Sequence, residues 1–227
     1  MKAYVYEQPR ELSEAEFADY LNPATTAVIS IDMHRGHLDD SPDCPCPAPR
    51  ARELVAPLDA FHDQVRALGV RLIHVRSTLR PNGEDDIHGI PAAWRRTFPL
   101  HVGPIPNADA HAIEGSRWTE WRTRVAPGDM RVDTKRRLSA FYPSDLDFLL
   151  RNQRIETVVL DGGFTDCCVL STAFDANNHN YRVIVLRDLV RGTDDKLEAA
   201  ALSMVSLHLG LVMESGELLR VWGRRPC

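Results

Sequence analysis

The stretch Thr157-Val-Val-Leu-Asp-Gly-Gly-Phe-Thr-Asp-Cys-Cys168-Val169 decides how this chain is read. Residues 157–160 are short, apolar and β-branched, the composition of a strand covered on both faces. Gly162 and Gly163 admit backbone angles that other residues resist, so a sharp turn can follow the strand at once. Thr165 or Asp166 is then placed to cap a helix running through Val169, Leu170, Thr172, Ala173 and Ala176. A thiol in the first turn of such a helix meets unpaired backbone N–H groups and the positive end of the helix dipole. Both favour thiolate, the nucleophilic form of cysteine. A cysteine merely packed beneath a βα turn has the same local pattern, so the stretch alone leaves both readings open.

Working outward, residues 26–32 form an apolar strand ending in Asp32, and residues 70–76 a second ending in Arg76. Between them Leu54, Leu58, Phe61, Val65 and Leu68 recur at helical spacing and stop at Gly69. Downstream the pattern predicts strands over 129–134, 181–187 and 211–214, and helices over 144–152 and 195–209. Residues 1–24 read as a loosely patterned N-terminal arm with a candidate helix over 13–20. Residues 77–128 form a long insertion of weak periodicity, rich in proline, tryptophan and arginine. So long a stretch in a compact domain is usually a lid or binding loop, here one that shapes a pocket. Strand alternates with helix almost throughout. The expected fold is α/β: three α/β/α layers around a mainly parallel, roughly six-stranded Rossmann-type sheet, in a single domain over residues 1–227.

Composition narrows the function classes. Hydrophobic residues make up 44% and charged residues 26% of the chain, as in an ordinary soluble globular domain. A net charge of −5 gives no electrostatic footprint for nucleic acid. No stretch approaches the roughly 20 apolar residues of a membrane span, and the N-terminus lacks a signal peptide's apolar core. A cytoplasmic location is expected, with the five cysteines reduced. They fall as Cys44/Cys46, Cys167/Cys168 and Cys227, a poor disulfide framework.

Open parallel sheets bind ligands beyond the carboxyl ends of their strands. Asp32, Lys135 and Cys168 all fall at such ends. A carboxylate, an ammonium and a thiol in one crevice make a coherent catalytic set. The thiol attacks a carbonyl; the carboxylate takes its proton and returns it to the leaving nitrogen. The ammonium holds the carboxylate and favours thiolate, since a nearby cation brings a cysteine pKa from about 8.5 towards 3.5–7.5.

Together these segments resemble the isochorismatase-like cysteine hydrolases. The resemblance is carried by Asp32 ending its strand, by Val132-Asp-Thr-Lys135 followed by Ser139-Ala-Phe141, and by Gly162-x-x-Thr165-Asp166-x-Cys168-Val169. Thr172-Ala-Phe-Asp175-Ala176 and Val183-Ile-Val-Leu-Arg-Asp188 extend it across roughly residues 25–215. It implies Asp32, Lys135 and Cys168 as catalytic triad and hydrolysis of a C–N bond in a small amide, carbamoyl compound or ureide through an acyl-enzyme. It further implies a cis peptide joining Gly163 to Phe164, with the amides of Phe164 and Cys168 as oxyanion hole, and assembly into homodimers or homotetramers. Val169 follows the nucleophile in the motif, which selects Cys168 over Cys167. A vinyl-ether hydrolase, as in true isochorismatases, is the alternative; it needs no cysteine. A scaffold relative, or a redox sensor using Cys167 and Cys168, stands further off.

Candidate substrate contacts are His34, Arg76 at the end of its strand, Trp118 in the insertion, and Phe141. The insertion also holds Trp94-Arg-Arg96, while Trp118 and Trp121 at i, i+3 suit a pocket or a packed helical face equally. The loop running from His34 through His37 to Cys44 and Cys46 gathers metal-ligating residue types. Its spacings fit no standard zinc pattern, so a polar loop beside the active site is expected. The nicotinamidase branch of the family carries an Asp-x-His metal motif with a further histidine, and no clean equivalent stands here. The expected set of partners is a small-molecule amide, with no metal, cofactor, nucleic acid or membrane.

Overall fold

The computed structural model describes residues 1–223, so Cys227 lies outside the described residues. Eight strands form one sheet: β1 (Lys2–Val5), β2 (Gln8–Glu11), β3 (Thr26–Ile31), β4 (Arg71–Ser77), β5 (Met130–Lys135), β6 (Thr157–Gly163), β7 (Arg182–Arg191) and β8 (Gly210–Met213). Their spatial order is β2-β1-β8-β7-β6-β3-β4-β5. The six strands from β8 to β5 are parallel, and the remaining two are antiparallel additions.

The expectation of roughly six strands is corrected by the N-terminal arm. Residues 2–11 are a hairpin, and β1 joins the edge of β8 with Tyr4 opposite Val212. Its two-residue turn, Tyr6-Glu7, has φ of 49° and 61°. Such turns are normally announced by Asn-Gly or Asp-Gly, and Tyr-Glu carries no such signal. Residues 13–20 run as turns and not as a helix. Eight residues are too few to sustain a helix by propensity, and here Phe17 and Tyr20 pack against the core instead.

Side-chain alternation along the sheet builds two cores. Val28 of β3 faces one side, with Leu58, Phe61 and Val65 of α2 (Val55–Ala67) and, at the C-terminal end, Leu218, Val221 and Trp222. Ala27, Ile29 and Ile31 face the other, with Leu146 and Leu150, Ala173 and Ala176, and Leu202. The helices there are α4 (Leu146–Asn152), α5 (Leu170–Asn178) and α6 (Asp195–Met204); α7 (Ser215–Trp222) closes the first side. Two short helices, α1 (Arg35–Leu38) and α3 (Trp94–Val102), lie in the loop after β3 and in the insertion. Over the expected helix 195–209 the α-helical part runs to Met204 and widens into a π-helical turn over Val205–Leu209. Among the described residues no helix is long and apolar enough to cross a membrane.

The strand order reverses between β3 and β6: the chain moves from β3 outward to β4 and β5, then returns beyond β3 to lay down β6, β7 and β8. A crevice opens at such a switch point because the connections leave adjacent strand ends in opposite directions. β3 and β6 are buried along their whole length, and Ile31 pairs with Gly162. Gly162 has φ +99°, and a Cβ there would lie 2.3 Å from Ile31 O, so glycine is what lets the two strand ends meet.

Candidate active site

Asp32 follows β3 in a left-handed conformation (φ 54°), its N–H donating to Val75 O at 2.8 Å. Aspartate is among the few residues that tolerate this region. The turn aims its carboxylate along the strand ends: Oδ1 accepts from the Ser77 N–H at 2.7 Å, and Oδ2 from Lys135 Nζ at 2.6 Å. Lys135 is brought there because it pairs with Ser77 across β4 and β5. Its Nζ also donates to Ser77 Oγ at 2.7 Å and reaches Cys168 Sγ at 3.4 Å. The ammonium therefore bridges carboxylate and thiol, in a setting where Asp32 and Lys135 are each only 1% exposed.

Burial opposes charge on Asp32, but the ammonium beside it prevails and holds the carboxyl well below the usual carboxylate range. Burial likewise opposes charge on Lys135, and Asp32 followed by Cys168 keeps it protonated above its ordinary range. A hydrogen bond with Cys167, then burial, pushes the Cys168 thiol up, against the pull of Lys135. Lys135 thus stands as the shared cation between the Asp32 carboxylate and Cys168 Sγ.

The turn that carries Cys168 departs from the expected cap. The Gly163–Phe164 peptide is cis, and a π-helical turn over Thr165–Val169 precedes α5. Phe164 O accepts from the N–H groups of Cys167 (3.2 Å) and Val169 (3.0 Å). Neither Thr165 nor Asp166 caps the turn; Asp166 instead accepts from the N–H and Oγ1 of Thr193, tying the loop after β7 to the site. Thr172 Oγ1 donates to Cys168 O at 2.7 Å and accepts from the Ala140 N–H at 2.9 Å. That pair of bonds locks the Ser139-Ala-Phe141 segment to the helix bearing the cysteine.

A cavity of about 430 Å³ opens onto Lys135, Cys167 and Cys168. Its apolar wall includes Leu79, Trp94, Phe98, Leu138 and Phe164, and Arg95, Arg136 and Arg137 supply its cations. Much of the wall comes from the insertion, including Leu79, Trp94, Phe98 and His111.

The Isochorismatase domain model matches residues 26–217 of this chain. The chain belongs to the isochorismatase family. It is 29% identical to maleamate amidohydrolase of Pseudomonas putida, over 72% of this chain and 71% of that protein. It is 28% identical to ureidoacrylate amidohydrolase RutB of Caulobacter vibrioides, over 90% and 94% of the two chains. In structure it superposes on a cysteine hydrolase from Pseudomonas syringae pv. phaseolicola with a TM-score of 0.77, covering 90% of this chain and 95% of the other. At 23% identity that likeness speaks for the isochorismatase-like fold alone.

Of the residues expected to touch substrate in this isochorismatase-family chain, none lines the cavity. Arg76 lies over the Trp121 ring, pairs with Asp133 at 2.6 Å and donates to Thr119 O. Strand alternation explains the correction: Ser77 faces the crevice, so Arg76 faces away. Trp118 is buried under Arg117, 4.1 Å from its ring centroid, and presents only its carbonyl towards the site. Phe141 stacks on His179 and Tyr181 in the core beneath α5. His34 is fully buried, with Oδ1 of Asp32 3.9 Å from its Nε2. Among the wall residues the sequence did not single out are Leu79, Phe98, Arg136, Arg137 and Leu138. The two arginines carried a signal, since they follow Lys135 directly.

The His34–Cys46 loop also meets the insertion. The fold adds His111, from the insertion, to His34 and His37, and one ring nitrogen of each lies within 4.8 Å of the others. All three are buried, and His37 and His111 line the same cavity as Cys168. Spacing within the loop could not reveal a third partner 74 residues downstream of His37.

Proposed function

We propose that this isochorismatase-family chain is an amidohydrolase that cleaves a non-peptide C–N bond of a small acid amide, carbamoyl compound or ureide through an acyl-enzyme on Cys168. The observation that carries the reading is Lys135 Nζ held between Asp32 Oδ2 at 2.6 Å and Cys168 Sγ at 3.4 Å in a buried crevice. Cys168 Sγ attacks the substrate carbonyl carbon, and its proton passes to Asp32. A carboxylate stabilised by an ammonium is a weak base, so this transfer accompanies the attack and does not precede it. The tetrahedral oxyanion sits against the amides of Phe164 and Cys168, where preorganised N–H donors stabilise developing charge. Asp32 then gives the proton to the leaving nitrogen; the C–N bond breaks, and ammonia or an amine departs. Water attacks the thioester, yielding one proton to Asp32, and the returning proton regenerates the Cys168 thiol.

The substrate class follows from the wall. Apolar side chains surround a small acyl or vinyl portion, and a carboxylate end suits the arginines. Arg136 Nη1 is buried without a hydrogen-bond partner, a donor that an anionic group would satisfy. The similarity to maleamate and ureidoacrylate amidohydrolases supports the same class.

The test is an ammonia-release screen over maleamate, ureidoacrylate-type compounds, N-carbamoyl amino acids, biuret and nicotinamide, run with wild type, Cys168→Ser and Cys167→Ser. Release lost in Cys168→Ser and kept in Cys167→Ser is the expected result. Silence across the panel, or an active Cys168→Ser, overturns the reading.

A further inference from the structure

We propose that His34, His37 and His111 form a binding site for a divalent transition metal of the zinc type in the wall of the Cys168 cavity. The proposal rests on these three side chains and not on the amidase reading. His34 stands immediately before α1 and His37 lies three residues on, so the two rings share one face of a single turn. His111 arrives from the turn after residues 108–110. Ring centroids stand 4.6, 4.7 and 5.6 Å apart, with donor nitrogens no more than 4.8 Å from one another.

The tautomers are those of metal ligands. His34 Nδ1 lies 2.9 Å from Trp118 O, and His37 Nδ1 lies 2.9 Å from Cys46 O. A carbonyl oxygen can only accept, so each Nδ1 carries the proton and each Nε2 keeps its lone pair. The Gly36 N–H, 3.1 Å from His34 Nδ1, is the weaker claim on that nitrogen, since a bare Nδ1 would repel the closer carbonyl. Donation of Nδ1–H to a backbone carbonyl is the outer-shell arrangement that orients metal-bound histidines.

Two ring nitrogens have nothing to bond. His34 Nε2 and His111 Nδ1 are buried with no hydrogen-bond partner. Each is a buried polar atom whose isolation costs about 1–3 kcal/mol, which a ligand placed among the three rings would relieve. Asp32 offers no competing ligand, since Ser77 and Lys135 occupy its two oxygens, but its charge beside His34 favours a cation there.

Three imidazoles without carboxylate or thiolate suit zinc, with cobalt, nickel and copper as competitors, and exclude the oxygen-seeking magnesium and calcium. Nitrogens about 2.1 Å from a tetrahedral centre lie about 3.4 Å apart, so the widest pair must close by a little over about 1 Å. Three protein ligands leave a fourth position, and His37 and His111 turn it towards the cavity, where water or a substrate heteroatom can occupy it.

The test uses the full chain, stripped with chelator and titrated with zinc sulfate by calorimetry, then with cobalt(II) as optical probe. One equivalent of zinc, and a tetrahedral cobalt spectrum free of thiolate charge-transfer bands, is expected. His111→Ala should weaken binding by more than about 100-fold, beyond the range seen when outer-shell partners alone are removed. Cys46→Ser and Cys168→Ser should leave it unchanged. Should His111→Ala fold poorly, wild-type NMR decides: zinc must shift the ring signals of three histidines. Absence of stoichiometric binding, unchanged binding in a folded His111→Ala, or loss of binding in the cysteine variants overturns the site. Because the readout is stoichiometry, it stands or falls apart from the ammonia-release screen.

Discussion

Replacing Lys135 by methionine removes one charge from a buried pair and keeps most of the side-chain volume. At 2.6 Å the attraction between Lys135 and Asp32 is about 6 kcal/mol at an effective dielectric of 20. That gain offsets the cost of taking both groups out of water, so the pair itself adds little net stability. The orphaned Asp32 is another matter. It keeps the Ser77 N–H but loses its counter-charge, and breaking such a pair costs about 3–5 kcal/mol. Urea unfolding of Lys135→Met at about pH 7 should show a loss of that size, a large part of the roughly 5–15 kcal/mol a domain has. The pH dependence should reverse in sign. In the wild type Asp32 has a depressed pKa, so its contribution is present above the unfolded value and is lost as pH falls through the folded one. In the variant its pKa rises above the unfolded value, so that contribution grows as pH falls. Asp32→Asn combined with Lys135→Met removes both charges and should recover to within about 1 kcal/mol of wild type. A loss below about 1 kcal/mol in the single variant, parallel pH profiles, or no recovery in the double variant would refute the buried-pair argument.

The same structure supports three further expectations. His74 is buried beside His62 and sits near about 4, so the folded protein excludes a proton that the unfolded chain binds below about 6.5. Stability should therefore fall between about pH 6.5 and 4, by up to about 3 kcal/mol from this group, and the slope should flatten in His74→Gln, as measured by urea midpoints across that window. Gly162→Ala forces a Cβ to 2.3 Å from Ile31 O at φ +99°, and should cost upwards of about 1–3 kcal/mol in thermal unfolding while lowering activity through a displaced β6 end. Arg76→Ala should leave kcat and KM for the amide unchanged, because Arg76 contacts Thr119, Trp121 and Asp133 and not the cavity; a raised KM would return it to the binding site.

How much was legible in the sequence differs by element. β3 and β6 were plain because both faces of each are covered, so their residues are continuously apolar and β-branched. The N-terminal hairpin was not, because its turn is Tyr6-Glu7 and its strands are short and mostly exposed. Asp32, Lys135 and Cys168 could be named because each ends or follows a recognisable strand, and strand ends are where a parallel sheet gathers reactive groups. The orientation of Arg76 was not decided by its being near a strand end. A side chain's face depends on register, and Ser77 pairing with Lys135 sends Arg76 to the other side.

What the sequence determined by itself was therefore the alternation of strand and helix, the family pattern and the three residues at the crevice. These depend on local periodicity and on residue types at element ends, both of which a linear text carries. Tertiary structure alone decided which side chains share the cavity: Trp94, Phe98 and His111 from the insertion, and the meeting of His111 with His34 and His37. Those contacts join residues tens of positions apart through loops without periodicity, and only the packed fold sets the distances between them.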